Sequence, residues 1–296
     1  MIVHFALPDV QARAITRITD GLTLHAPPNV TVSLDPRAAD LVIVPVVGRR
    51  DKVADDTDRY RRRGQRYAVL QLVLRSSQKP SAADWVDIWG RAAVVLSYLD
   101  LPALCAEDGV VAQFPFYHTA LGVDPHVFQP RLVPKRFIIA TSGHGWLTES
   151  VRECVVAARA VHRTVFHLGR ELHRPDVECG TGMSDHELAS LYSQCHYVSG
   201  LRRIDGFELP AAEGLLCGAR PILFDRPHYR RWYDGMADFI PEGPRPQVET
   251  ALIALFQRGY EKMRAQNLPP SLADRAVAVH RFDWSRISAG FWERVS

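Results

Sequence analysis

The residues best suited to chemistry lie in one stretch, Asp205-Gly206-Phe207-Glu208-Leu209-Pro210-Ala211-Ala212-Glu213-Gly214-Leu215-Leu216-Cys217-Gly218-Ala219-Arg220-Pro221-Ile222. It reads as a loop, a helix that starts near Pro210, a glycine stop at Gly218 and a buried strand. Asp205 precedes that helix and Glu213 sits about one turn inside it. A loop carboxylate beside a helix N-terminus can accept hydrogen bonds from sugar hydroxyls, while free N–H groups nearby face phosphate. A second candidate is Gly143-His144-Gly145, between a strand and a helix, where backbone N–H groups can also hold a phosphate. A bare glycine turn is the plainer reading there, as it is for Gly180-Thr181-Gly182. There is no P-loop, His-Glu-x-x-His, Gly-x-Ser-x-Gly or complete Gly-x-Gly-x-x-Gly. His25, His162, His167, His173, His196 and His280 are scattered without metal-ligand spacing, so no metal site is expected.

The elements that must position these residues alternate between short β-branched runs and helical stretches, the pattern of a parallel α/β sheet. Strands are predicted at Ile2–Ala6, Val30–Ser33, Leu41–Val47, Ala68–Leu74 and Ala93–Tyr98, then at Phe137–Thr141, Thr164–Leu168, His196–Ser199 and Pro221–Phe224. Helices are predicted at Val10–His25, Ala82–Gly90, Glu149–His162, Asp185–Cys195, Leu209–Cys217 and Gln247–Arg258. Ser184-Asp185-His186-Glu187 is a capping-type start for one of them. Asp124-Pro125-His126-Val127-Phe128-Gln129-Pro130, with Pro134 behind it, reads as a linker because proline locks φ. The boundary falls there, giving domains 1–124 and 125–296, two βα lobes with a ligand expected at the carboxyl ends of strands. Trp85, Trp89, Trp284 and Trp292 fall at helical spacing and read as core.

Composition narrows the class. The chain has 296 residues, 47% hydrophobic and 23% charged, which excludes disordered, collagen-like and coiled-coil proteins. A formal charge of +3 does not demand a polyanionic partner. Locally, Arg49 to Arg66 holds eight basic residues against four acidic ones, following the Leu41–Val47 run. DNA, another polyanion or an anionic lipid surface would suit that stretch, and a solvated amphipathic helix is the plainer reading. Five cysteines without a Cys-x-x-Cys pair fit a reducing compartment, and the expected location is cytoplasmic. The N-terminus does not read as a signal peptide. No apolar run approaches the ~20 residues of a transmembrane helix.

The segment Asp205–Ile222 resembles the donor-site signature of retaining GT-B glycosyltransferases, in particular glycosyltransferase family 4, whose pattern is Glu-Gly-Phe-Gly-Leu-Pro, a Glu, then Cys-Gly-x-Pro-Val-Ile. Three further segments agree in order. Gly122-Val123-Asp124-Pro125-His126-Val127-Phe128-Gln129-Pro130 is similar to the interdomain Asn-Gly-Val-Asp…Phe-x-Pro segment. Met183–Tyr192 is similar to the helix before the signature, and Phe282-Asp283-Trp284-Ser285-Arg286-Ile287 to the C-terminal helix, which crosses between lobes in the family. The resemblance spans about residue 120 to the end; the first lobe fits by strand order.

The resemblance implies two Rossmann-like lobes with a central cleft, a nucleotide-sugar donor held by the C-terminal lobe and an acceptor bound by the N-terminal lobe. It implies metal-independent hexosyl transfer with retention and no cofactor, the nucleotide-sugar being a co-substrate. Glu213 matches the Glu that holds the ribose hydroxyls, and Asp205 the carboxylate that contacts the donor sugar, one methylene shorter than the usual Glu. Gly206, Phe207 and Leu209 match the loop against sugar and phosphate, while Glu208 stands where the family has glycine. The glycine turn at Gly143 and Gly145 normally carries an Arg and a Lys that clamp the diphosphate, and here those places hold His144 and Glu149. Arg202 and Arg203 are candidates to replace the clamp, or else solvated surface arginines. The family's first-lobe catalytic His has no assignable counterpart; His4 and His118 are the nearest. The expected activity is therefore sugar transfer to an unidentified acceptor hydroxyl. The alternatives are a phage-type DNA glycosyltransferase acting on hydroxymethylated bases, and a non-catalytic nucleotide-sugar-binding protein.

Overall fold

Every residue of Leu41–Val46 is buried, as a strand must be when helices cover both faces of its sheet. A computed structural model describes residues 1–7, 13–47, 50–74, 81–143, 149–203, 206–266 and 272–295. The predicted helix start at 10–12, and Arg49, His144, Gly145 and Asp205, lie outside the described residues. The chain divides into two units, Met1–Gly122 with Asp205–Phe207 and Asp283–Ser296, and Val123–Ile204 with Glu208–Phe282.

In the first unit the elements run β1 (Ile2–Phe5), α1 (Arg13–Leu24), β2 (Thr31–Val32), β3 (Leu41–Val46), α2 (Arg50–Arg62), β4 (Arg66–Gln71), α3 (Val86–Trp89), β5 (Val95–Ser97), α4 (Leu101–Glu107) and β6 (Phe116–His118). The sheet has the order β2-β1-β3-β4-β5-β6, all neighbours parallel. The order reverses between β1 and β3. Ile15, Ile18 and Leu22 form the buried stripe of α1, at the three-to-four spacing of a helix face. The predicted helix Ala82–Gly90 is a 3₁₀ turn, Ala83–Trp85, that runs into α3. Asp100 caps α4 by accepting from the Ala103 N–H at 3.2 Å.

The second unit runs β7 (Phe137–Ser142), α5 (Val151–Ala160), β8 (Val165–Leu168), β9 (Val177–Gly180), α6 (Asp185–Ser193), β10 (Cys195–Gly200), α7 (Leu209–Leu216), β11 (Arg220–Phe224), α8 (Pro227–Tyr233), β12 (Asp238–Ile240), α9 (Arg245–Gln266) and α10 (Leu272–Phe282). Its parallel sheet has the order β12-β11-β10-β7-β8-β9. Ile139, Val155, Val165, Ile222, Val248, Leu252 and Phe256 belong to one core cluster built by the sheet with α5 and α9. Ser184 and Glu187 form a complete capping box at the start of α6, as the sequence predicts.

The last helix, α11 (Trp284–Val295), groups with the first unit, whereas the sequence-based boundary keeps it with residues 125–296. Two glycines explain the docking: a Cβ on Gly21 or Gly122 would collide with the Trp284 indole. Trp292 Nε1 donates to the Leu22 carbonyl at 3.0 Å, closing α11 onto α1. Trp85, Trp89, Trp284 and Trp292 are all buried. The predicted strands are all present with edges shifted by a few residues; β6, β9 and β12 are additional. Among the described residues no helix is long and apolar enough to cross a membrane.

Candidate functional site

The strand order of the second unit reverses between β7 and β10, so their carboxyl ends open the crevice where parallel sheets take ligands. The sequence puts its candidate residues at those two ends. Gly143 follows β7, while Arg202, Arg203 and Glu208 follow β10 and lead into α7. Close helix–strand packing at this point depends on Gly214: a Cβ there would lie 2.5 Å from Val198 Cγ1 of β10. Leu209 and Pro210 open α7, and proline tolerates that first turn because it has no N–H to leave unpaired.

Glu208 precedes α7 in the left-handed conformation, φ 61° and ψ 62°. Glycine reaches that conformation without steric cost, which accounts physically for the glycine of the resembling signature. Here a glutamate accepts it, with a buried side chain. It packs close to Gly200, the last residue of β10: a Cβ there would collide with Leu223 Cδ2 and stand 3.3 Å from Glu208 Cβ. Arg202 Nε lies 3.1 Å from Glu208 Oε1 without hydrogen-bond alignment, so the contact is an electrostatic one. Burial pushes the Glu208 carboxyl up to about 7; Glu149 pushes the same way, and Arg202 and Arg226 oppose it.

Arg203 has another role. Its Nη2 meets Glu153 Oε1 at 3.2 Å, its Nη1 donates to the Gly243 carbonyl at 3.0 Å, and its guanidinium lies over the Phe224 ring. Glu153 is fully buried on α5 with Arg245 Nε 4.0 Å away. The sequence reading missed Glu153, an acid between Val151 and Cys154 in a helix that buries residues on more than one side. Ser150, before α5, is buried in the left-handed conformation, and its Oγ has no hydrogen-bond partner among the described residues. Glu149 folds back on the glycine turn: a Cβ on Gly143, at φ 141°, would collide with Glu149 Cγ.

Glu213 sits on α7, buried, and accepts from the Tyr192 hydroxyl of α6 at 3.3 Å. Leu209 and Phe207 are buried, and Phe207 packs its ring on Tyr98 with centroids 5.5 Å apart. Gly206 lies between Phe207 and the undescribed Asp205. Glu213, Glu208, Arg202 and Gly143 thus attach to elements that meet at the reversal of strand order, and Arg203 turns away to hold α5.

In the first unit, α2 carries most of the basic stretch and buries Val53, Thr57 and Tyr60. Several of its charges are paired: Arg59 with Asp56 at 2.6 Å, Arg50 with Asp87 at 2.7 Å, and Arg61 with Asp58 at 3.5 Å. Arg61, Arg62 and Arg63 remain exposed. His4 Nδ1 lies 3.0 Å from the Ser33 carbonyl, and His118 Nε2 lies 3.3 Å from the Tyr98 carbonyl. Both rings are tied to backbone.

The structure is similar to that of HepE from Anabaena in complex with UDP and glucose, with a TM-score of 0.73 and 12% identity over 99% of this chain and 98% of that one. It is also similar to sucrose-phosphate synthase from Thermosynechococcus elongatus, with a TM-score of 0.71 and 11% identity over 99% and 97% of the two chains. The pneumococcal O-GlcNAc transferase GtfA in complex with UDP and GlcNAc matches 86% of this chain and 56% of that one, with a TM-score of 0.65 and 15% identity. No protein-family model and no curated protein matches the chain. At such identities the likeness establishes the fold, two Rossmann-like units of the GT-B type.

Proposed function

We propose that this protein is a glycosyltransferase that takes a sugar from a nucleotide-sugar donor and passes it to an acceptor hydroxyl. One observation carries the reading: the resembling signature, Asp205–Ile222, with Arg202 and Arg203 just ahead of it, follows β10 where the strand order of the second unit reverses, and Gly143 follows β7, the neighbouring strand. HepE and GtfA, which share the fold, are complexes with UDP and a sugar. In this reading Glu213 holds the ribose hydroxyls and Asp205 contacts the donor sugar. Gly143, Gly206, Phe207 and Leu209 lie along sugar and phosphate, and the resemblance assigns His144 and Gly145 to the same donor contact. As the glycosidic bond breaks, negative charge grows on the departing diphosphate. The α7 N-terminus and Arg202 are the groups this chain offers to it. Arg203 serves the scaffold through Glu153 instead. Retention, independence of metal and the absence of a cofactor rest on the resemblance to family 4.

Acceptor recognition is assigned to the first unit. Duplex DNA with hydroxymethylated bases is the first acceptor to try, because the end of α2 and the turn after it keep Arg61, Arg62 and Arg63 at the surface. The test incubates the protein with UDP-, GDP- and ADP-sugars, with and without that DNA, anionic vesicles or oligosaccharides. Nucleotide release and acceptor mass are followed. Release of nucleoside diphosphate from one donor series is expected. Tight nucleotide binding with no release from any donor would leave a non-catalytic binding protein, the reading favoured by Glu149 and Glu208 lying where a diphosphate asks for cations.

A further inference from the structure

We propose that Glu208 competes with the donor's diphosphate for Arg202, and so sets the affinity of the site for nucleoside diphosphates and its dependence on pH. This rests on the donor-site reading above. Arg202 stands between a buried carboxylate and solvent. Its own side chain is 31% exposed, whereas that of Glu208 is 4% exposed, so an incoming anion reaches the guanidinium while Glu208 stays in place. Glu208 cannot turn away easily. Its left-handed backbone sets the direction in which the side chain leaves, and that side chain is buried and packed close to Gly200 at the end of β10.

The arrangement is costly in two ways. A residue with a Cβ occupies a backbone region that favours glycine, and a carboxylate is buried near a second one, Glu149. Strain of that kind, at the start of a helix facing the reversal of strand order, points to a local function. The charged and titratable groups around Glu208 come from each neighbouring element. They are Arg202 after β10, Glu149 ahead of α5, Arg226 ahead of α8, and Tyr233 of α8, whose hydroxyl donates to the Glu208 carbonyl at 3.3 Å. Because burial and Glu149 outweigh the two arginines, the carboxyl titrates near neutrality. Below that point Glu208 is neutral and the full charge of Arg202 faces a phosphate. Above it the glutamate both holds the arginine and repels the ligand. Affinity for a dianionic phosphate must therefore fall as pH rises.

The experiment measures binding of UDP, GDP, ADP and the matching nucleosides by calorimetry for the wild type and Glu208→Gln, at about pH 6 and about pH 8. The ligand's own phosphate titration acts equally on both proteins and cancels in their ratio. Glu208→Gln should bind the preferred nucleoside diphosphate about tenfold more tightly at the higher pH, since like charges in contact cost several kcal/mol. The gain should shrink to within about twofold at the lower pH, and the nucleoside should show no gain at either. Glu208→Gly fits the left-handed backbone and carries the same expectation if the glutamine variant folds poorly. Equal affinities for wild type and variant, a gain shared by the nucleoside, or a gain independent of pH would each overturn the proposal. If no nucleoside diphosphate binds the wild type or either variant, the donor-site reading falls and the proposal with it.

Discussion

Arg202 and Arg203 follow one another in the chain, yet they meet buried carboxylates of two different kinds. Glu153 is served from two directions, by Arg203 at 3.2 Å and Arg245 at 4.0 Å, and Arg203 also donates to a backbone carbonyl and lies over an aromatic ring. Glu208 has Arg202 at 3.1 Å but shares its surroundings with Glu149, and Arg202 opens to solvent on its other side. The first pair gathers both arginines on Glu153 Oε1, leaves Glu153 Oε2 without a hydrogen-bond partner among the described residues, and ties α5 to the segment after β10. In the second pair Arg202 Nε makes no aligned hydrogen bond and Glu208 is raised toward neutrality, so its charge state and its arginine both respond to what comes near. The difference lies in the neighbours: Arg203 is also held by a backbone carbonyl and an aromatic ring, whereas Glu208 has an acid, Glu149, acting against its two arginines.

Removing one cation from Glu153 should have the largest effect. Arg203→Ala leaves Glu153 buried beside a more distant arginine, and urea unfolding should show a loss of about 3 kcal/mol or more. A loss below about 1 kcal/mol, the range of surface pairs, would erase the distinction between the two arginines. The Arg202–Glu208 pair should reveal itself through pH. A carboxyl raised from 4.5 to about 7 binds a proton more readily in the folded than in the unfolded chain. Its contribution is therefore fully present below the unfolded value and is lost as pH rises through the folded one. Glu208→Gln should remove that decline and exceed the wild type at alkaline pH by up to about 3 kcal/mol, with no advantage in acid. Parallel stability curves for the two proteins would show that Glu208 does not titrate in that window. The smallest expected effect concerns Glu213, whose hydrogen-bonded neighbour is a hydroxyl, Tyr192. Glu213→Gln should weaken nucleotide binding by about 2 kcal/mol, the worth of a charge-assisted hydrogen bond. Unchanged affinity in a folded variant would take it out of the ribose site.

Most of the fold was legible because its signals are local. Leu41–Val46 and Phe137–Ser142 are continuous apolar runs, and Ser184 with Glu187 forms a cap readable from four residues. The strands that went unread are Phe116–His118, Val177–Gly180 and Asp238–Ile240, and each lies at the edge of its sheet. An edge strand pairs on one side only, so it is short and keeps polar residues, and no apolar run announces it. The site was legible in part for the same reason. Proline at the start of α7 and Gly218 after its end mark the helix that carries Glu213, whichever way the chain folds around it.

The sequence by itself determined the alternation of strands and helices, the place of α7 and the presence of two arginines ahead of it. Only the tertiary structure decided that Arg203 reaches Glu153, fifty residues away in the chain, while Arg202 stays with Glu208. The reason is that hydrophobic period and caps act within a few residues. A buried charge, in contrast, is matched by whatever the sheet order and helix packing bring beside it, and in this unit that order places β7 and β10 side by side. The left-handed backbone at Glu208 belongs to the same class of decision, since glutamate has no preference for that conformation.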